Sequence, residues 1–578
     1  MIATRRTAGL LLASLVLALS STPLTPSVRA VGATTWVVAH RDEIENYAEG
    51  STCAAPDFWT DGGWSVAGSG EGDYDSDEDA IQDAIDNASS GDTVYVCFGR
   101  YEFDTDLHNI DPGMNLTIVG DGIGATVFDG TDSTRLINSN PVGEVDDGGT
   151  LTLQDLSMED AHTVDPAHNG GAVNADGLTL VRVSISSSDG AYNGGALYAE
   201  GDVLIRDSEI NGNSSSRDGA ALYAWNPSAT VQISDSLFEA NESDGFAGAV
   251  TGGGDMSIRN ADFIANESGR FGGAVVNTGS GADVFIEGSN FSGNLSDEIG
   301  AALVMQNLAS LEIAKSTFED NIAQHFGGAI NLSNIVKVTI KSSAFYGNEA
   351  LGMGDDDNGN GGAIDACDVG SFTSIGSRYV GNLSTKFGGA IGLFGDSCSS
   401  PGSITLTRNL FSGNSATSHG GALWLSGELD SMVGNRFVGN SAGGLGGAVF
   451  GGWWAGGELR SQRIQRNLFK GNEAFEGGGA LWLPGQIESL TRNTFRANQT
   501  DGWGGAIALS GLNRTGWRAI RGNQLLRNRA EVRGGAFYLQ CSNLSRSSLQ
   551  RLASTNRLSG NIAGDSRRTA RIYQAGIC

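Results

Sequence analysis

Apolar and polar residues alternate in short runs along most of this chain. Examples are Ala-Leu-Tyr-Ala at 196–199, Ala-Val-Val-Asn at 274–277 and Ala-Leu-Trp-Leu at 422–425. Each unit carries a second such run, as at Asp283–Glu287 or Val336–Ile340. Alternation over four to six residues is a strand signal, and the Gly, Asn and Ser clusters between runs are turns. Segments with helical period are almost absent from the array. An exception precedes it at Ser76–Ala88, where Ala80, Ile81, Ala84, Ile85 and Ala88 share one helical face. Ser76 or Asp77 can cap that helix, and acids fill its first turn.

The runs recur in register with two punctuating motifs. A small-small-Ala-aliphatic or -Phe tetrad begins at Gly170, Gly194, Gly219, Ala247, Gly272, Gly300, Gly327, Gly361, Gly388, Gly420, Gly446, Gly478, Gly504 and Gly534, at intervals of 24 to 34 residues. An aromatic-x-x-Asn element precedes most copies, ending in Asn241, Asn266, Asn294, Asn321, Asn348, Asn382, Asn414, Asn440, Asn472 and Asn498. Weaker versions end in Asn213, Asn528 and Asn561. Repeats of this length imply a solenoid. Strand-period repeats of about 25 residues imply an all-β, right-handed parallel β-helix with two or three short strands per coil. Coils stack at about 4.8 Å, so fourteen of them make a rod of roughly 65 Å or more. The glycines suit tight corners without a Cβ to meet the coil above. The asparagines are expected to stack as a ladder that pairs buried turn amides, with the aromatic residue filling the interior beside them.

The Gly-Gly-Ala-aliphatic element with Phe-x-x-Asn, over roughly 170–561, resembles the repeat of the chlamydial polymorphic outer membrane proteins within the pectin-lyase-like β-helix superfamily. The order helix, Gly-Asp-Thr-Val strand, Gly-x-Tyr at 76–103 resembles that superfamily's amino-terminal cap. The resemblance implies adhesion. It departs at the carboxyl end, where the family's translocating β-barrel has no counterpart before Cys578. The expected organisation is a signal peptide over 1–30, cap and first coils over 31–103, irregular early coils over 104–169, repeats over 170–561 and a tail over 562–578.

The signal peptide is read from Arg5-Arg6, the apolar run Leu10–Leu19 and Val28-Arg29-Ala30 as a small-x-small cleavage site. It makes the protein secreted or cell-surface associated, and no later stretch is long and apolar enough to span a membrane. In that compartment six cysteines read as disulfides. Fifteen pairings are possible; proximity favours Cys53–Cys97, Cys367–Cys398 and Cys541–Cys578. Glycine, at 86 of 578 residues against 9 prolines, fits a turn-rich solenoid.

Charge divides the rod. Removing the three leader arginines takes the net charge from −30 to −33; residues 455–578 hold 18 basic and 7 acidic residues, so 31–454 carry −44. Such polarity favours end-to-end self-association or contact with an anionic surface polymer. No interleaved basic and aromatic module suggests nucleic acid. Asp355, Asp356, Asp357 and Asn358 form a Gly-rich acidic loop suited to structural Ca²⁺. Asp73, Asp75, Asp77 and Asp79 form a weaker candidate, with Glu78 where the turn glycine of an EF-hand belongs and Ala84 where its closing glutamate belongs. No other cofactor is expected. The outward position two residues past the tetrad Ala holds Tyr198, Tyr223, Trp424, Phe450, Trp482 and Tyr538, an expected exposed stripe for sugar rings or a protein. The six histidines are scattered and no lyase or hydrolase motif occurs. The first expectation is therefore a non-catalytic adhesion, binding or scaffold protein, whose partner is an extracellular polysaccharide or a surface protein. The alternative is a polysaccharide lyase, epimerase or hydrolase, recognisable by stacked Asp with Arg or Lys on one face.

Overall fold

The computed structural model describes residues 33–575 except 41–45, 49–50, 55, 61–76, 109, 111–112, 140–148, 164–168, 191, 353–358, 395–401, 453–458, 461, 485–486, 513–515, 541, 543 and 565–571. Most coils of the array contain four short strands rather than two or three, and those in which one long strand spans two faces, as Ile330–Lys341 does, contain three. In one coil the four are Leu197–Ala199 on a first face, Val203–Arg206 on a second, Glu209–Asn211 on a third and Ser214–Ser215 at a corner. The extra strand arises because the chain stays straight for two residues past the conserved Asn. Every strand pairs in parallel with its counterpart one coil on: Leu197 with Leu222, Val203 with Val231, Glu209 with Leu237 and Ser214 with Glu242. The corner ladder has 15 strands, so the protein is an all-β parallel solenoid of about fifteen turns.

Alternation decides which side chains enter the core. In Val231–Ser234 the two aliphatic residues are buried while Gln232 is exposed. On the third face Phe238, Phe263, Phe291, Phe318, Phe345, Tyr379, Phe411, Phe437, Phe469 and Phe495 form one interior column. Their ring centroids lie 4.7–4.9 Å apart and their planes within 7°. Beside it runs the Asn column. Asn294, for example, donates its Nδ2 to the Oδ1 of Asn321 (2.9 Å) and to the carbonyl of Phe263 (3.0 Å), while its backbone N–H also meets Asn321 Oδ1. The ladder satisfies amides that the turn buries away from water.

The two glycines of the tetrad do different work. Gly327 has φ of 63°, a left-handed value. A Cβ on Gly328 would lie 2.1 Å from the carbonyl oxygen of Gly362 in the next coil. The Ala and aliphatic residue that follow, Ala329 and Ile330, are fully buried.

Helix α1 (Asp77–Asn87) covers the amino-terminal core with Ala80, Ile81, Ala84 and Ile85. Its buried Glu78 accepts the backbone N–H groups of Asp104 and Thr105. Cys53 and Cys97 form a disulfide with S–S 2.01 Å. Cys367 is also disulfide-bonded; Cys398, Cys541 and Cys578 lie outside the described residues, as do residues 1–30. Among the described residues no helix is long and apolar enough to cross a membrane.

Two elements have no counterpart in the sequence reading. A second helix, α2 (Arg546–Ser554), is capped by Ser545 and buries Leu552 near the carboxyl end. A second polar column also lines the corner between the second and third faces. It consists of serines, with Ala261 in one coil, up to Ser377 and of Asn409, Asn435, Asn467, Asn493, Asn523 and Asn556 thereafter.

Candidate functional site

Three surfaces combine chemistry-bearing side chains. The first is the outer side of the first face, where the aromatic stripe was expected to be exposed. For its centre that expectation is wrong: Trp424, Phe450 and Trp482 are 2%, 3% and 6% exposed. Phe387, His419 and Leu445, which stand just before three of the tetrads, fold over them. Phe387 and His419 stack against Trp424 and Phe450, with centroids 5.8 and 4.8 Å away, and Leu445 completes the cluster. The backbone of Gly452 also lies so close that a Cβ there would stand 2.9 Å from Trp424 Cζ2. These outward strand positions are therefore sealed by large corner side chains of their own and neighbouring coils. Burial holds the His419 imidazole down to a pKa of about 4, and its Nδ1 accepts the backbone N–H of Leu445 at 3.0 Å. It is a neutral packing residue.

The stripe continues through Asn331 and Asp365. Asp365 is buried, accepts Asn331 Nδ2 at 3.3 Å through one oxygen, and has no partner for the other among the described residues. Burial pushes its carboxyl well above the usual range. At the ends of the stripe Tyr198, Tyr223 and Tyr538 remain half-buried, next to the exposed indoles of Trp225 and Trp503.

The second surface lies beside the amino-terminal cap. Arg100 bridges Asp129 and Glu159, which stack in register on the third face. Asp160 lies beside them, its carboxyl raised by burial and by the neighbouring acids. Asp129, Glu159 and Asp160 come close enough to share a cation, yet the guanidinium already neutralises two of them. Of the expected calcium ligands, Asp355, Asp356, Asp357 and Asn358 lie outside the described residues, as do Asp73 and Asp75. Asp77 instead serves the cap, accepting the N–H of Glu102.

The third surface was not anticipated. On the second face of the last coils an open groove of about 700 Å³ is lined by Gln465, Ser489, Thr491, Arg492, Arg521 and Thr555. It adjoins a cleft of about 520 Å³ that shares Ser489, Thr491 and Arg521 and adds Glu488 and Arg518. Strands Gln462–Gln465, Ile487–Thr491 and Ile520–Arg521 supply the floor, and the turn Gly516–Ala519 and the end of α2 supply the walls. Arg492 holds a left-handed φ of 58° and lies along Gly522 of the next coil. Glu488 is paired with Arg463 at 2.7 Å; Arg492, Arg518 and Arg521 make no ion pair among the described residues. Three guanidiniums with hydroxyls and an amide favour a ligand that is both anionic and rich in hydroxyl groups.

The Chlamydia polymorphic membrane protein repeat matches residues 410–426, less than the length of one coil. No curated protein matches the chain. Among solved structures, the chain is similar to the A-module of a mannuronan C-5 epimerase of Azotobacter vinelandii (16% identity, 63% of this chain and 95% of that one, TM-score 0.26). It is similar to the catalytic unit of a thermostable GH87 alpha-1,3-glucanase from Streptomyces thermodiastaticus (13%, 84% and 65%, 0.23). A third is a mannuronic acid specific polysaccharide family 6 lyase from human gut microbiota (12%, 86% and 89%, 0.26).

Proposed function

We propose that this chain is a secreted or cell-surface β-solenoid that binds an acidic polysaccharide in the groove on the second face of its last coils. The observation that carries the reading is the set of guanidiniums of Arg492, Arg518 and Arg521, without ion pairs among the described residues, beside Ser489, Thr491 and Gln465. A sugar acid presents carboxylates to the first and hydroxyls to the second. The groove lies in the segment that carries net charge +11, and the remaining coils serve as a rigid spacer.

The test is retention of the purified chain on immobilised polygalacturonate. Wild type is retained, and Arg492→Glu combined with Arg521→Glu lowers affinity at least tenfold while the melting temperature stays unchanged. Equal retention of both proteins would show that the polymer does not bind in the groove. A catalytic reading is favoured by one observation, the stacking of Asp129 and Glu159 with Arg100. It predicts unsaturated or epimerised product from the same polymer, lost in Arg100→Ala.

A further inference from the structure

We infer a second, separate carbohydrate site at the acidic end of the first face, formed by Tyr198, Tyr223 and Trp225 and suited to an uncharged polysaccharide. Tyr198 and Tyr223 occupy the same position in consecutive coils, with centroids 5.6 Å apart and planes within 6°. Trp225 follows at the strand end, its ring 6.1 Å from that of Tyr223 and tilted by 13°. The three rings thus stack in nearly parallel planes as one aromatic shelf. It is open on the Trp225 side, where the indole is 42% exposed. The coil above keeps it so. Gly253 stands in register with Trp225, and a Cβ there would meet the Trp225 carbonyl oxygen at 1.9 Å. The run Gly252–Gly254 places no side chain over the ring. The sealing device found at Trp424 is missing here, because the corner residues before these two tetrads are Asn193 and Asp218.

The rim carries acceptors. Tyr198 donates its hydroxyl to Glu200 Oε1 at 3.1 Å, and Glu200 immediately follows the strand that pairs with the one before Trp225. Burial pushes the Tyr223 phenol up to about 12, so it stays a neutral donor. Arg217 is engaged over the ring of Tyr192, 4.8 Å from its centroid. An aromatic face is negative and attracts the weakly positive C–H face of a pyranose, while carboxylates at its edge accept hydroxyls. The field selects charge: residues 31–454 carry −44, which repels a polyanion from this end. The occupant is therefore a neutral chain with flat C–H faces. With the arginine groove at the other end, the rod bridges two chemically different polymers.

The experiment uses the secreted chain with microcrystalline cellulose and chitin as neutral matrices and polygalacturonate as the acidic one. Wild type is retained on at least one neutral matrix. Tyr223→Ala with Trp225→Ala lowers that retention at least tenfold, Trp225→Phe restores most of it, and polygalacturonate binding stays unchanged. The variant Arg492→Glu with Arg521→Glu is retained on the neutral matrix as wild type is, so failure of the acidic site does not mask this one. No wild-type retention on either neutral matrix, or equal retention of the Tyr223 and Trp225 double variant, overturns the inference.

Discussion

Asp365 is a carboxyl placed where ionisation costs stability. Its folded pKa is raised by burial, so the native state holds the proton more tightly than the unfolded chain does. Its contribution is intact below the ordinary value near 4 and is lost as pH rises through the folded pKa. Asp365→Asn should therefore raise the melting temperature at pH 7 and leave it nearly unchanged at pH 3; a gain of equal size at both pH values would point to packing instead. His419 runs the other way. Its depressed pKa of about 4 gives stability that is present above pH 6.5 and lost as pH falls through 4, on the order of 3 kcal/mol for a shift of this size. His419→Phe should flatten that acid limb in a melting-temperature series. Neither residue stood out among scattered acids and histidines, because what sets each apart is its burial against neighbouring coils.

At the scale of the strand and corner, the repeat explains which glycines are replaceable. Gly421 faces the Gly447 carbonyl oxygen at 2.2 Å from its would-be Cβ, whereas Gly439 has a left-handed φ of 64° but open space around it. Gly421→Ala should cost at least about 3 kcal/mol and Gly439→Ala only about 1. Ala240, Ala265 and Ala497 already occupy the Gly439 position in other coils. Denaturant midpoints of the two variants measure the difference.

The aromatic and asparagine columns were legible in the sequence because, the insertion after Asn348 apart, each stands at a constant offset from the tetrad. The second asparagine column was equally periodic, five residues ahead of the first at Asn409 and Asn414 or Asn435 and Asn440. It was hidden because serines fill the same corner in the earlier coils. Helix α2 left a weaker trace, a serine cap and one buried Leu552, in a segment where repeat spacing had already decayed.

Across the whole molecule, charge separates by end while the fold does not change. Binding in the arginine groove should therefore weaken steeply as salt rises, and binding at the Tyr223–Trp225 shelf should stay nearly constant. Titrating retention on polygalacturonate and cellulose against sodium chloride distinguishes the two, and parallel curves would mean a single mode of attachment. The groove could not be read from the repeat, because Gln465, Ser489, Thr491 and Arg521 look like ordinary outward strand residues. Only the turn at 516–519 and the end of α2 turn that row into a trough.

The change from serine to asparagine along the second corner also makes the rod mechanically uneven. A serine step joins neighbouring coils by one bond, as from the Ser316 N–H to Ser343 Oγ. An asparagine step such as Asn467 to Asn493 adds a side-chain bond to the backbone one, and Asn467 also clamps the carbonyl of Met432 in the coil below. Pulled between its ends, the solenoid should yield first in the coils before Ser377. The stiff half is the one that holds the groove, so a stretched tether would lengthen without loosening its grip.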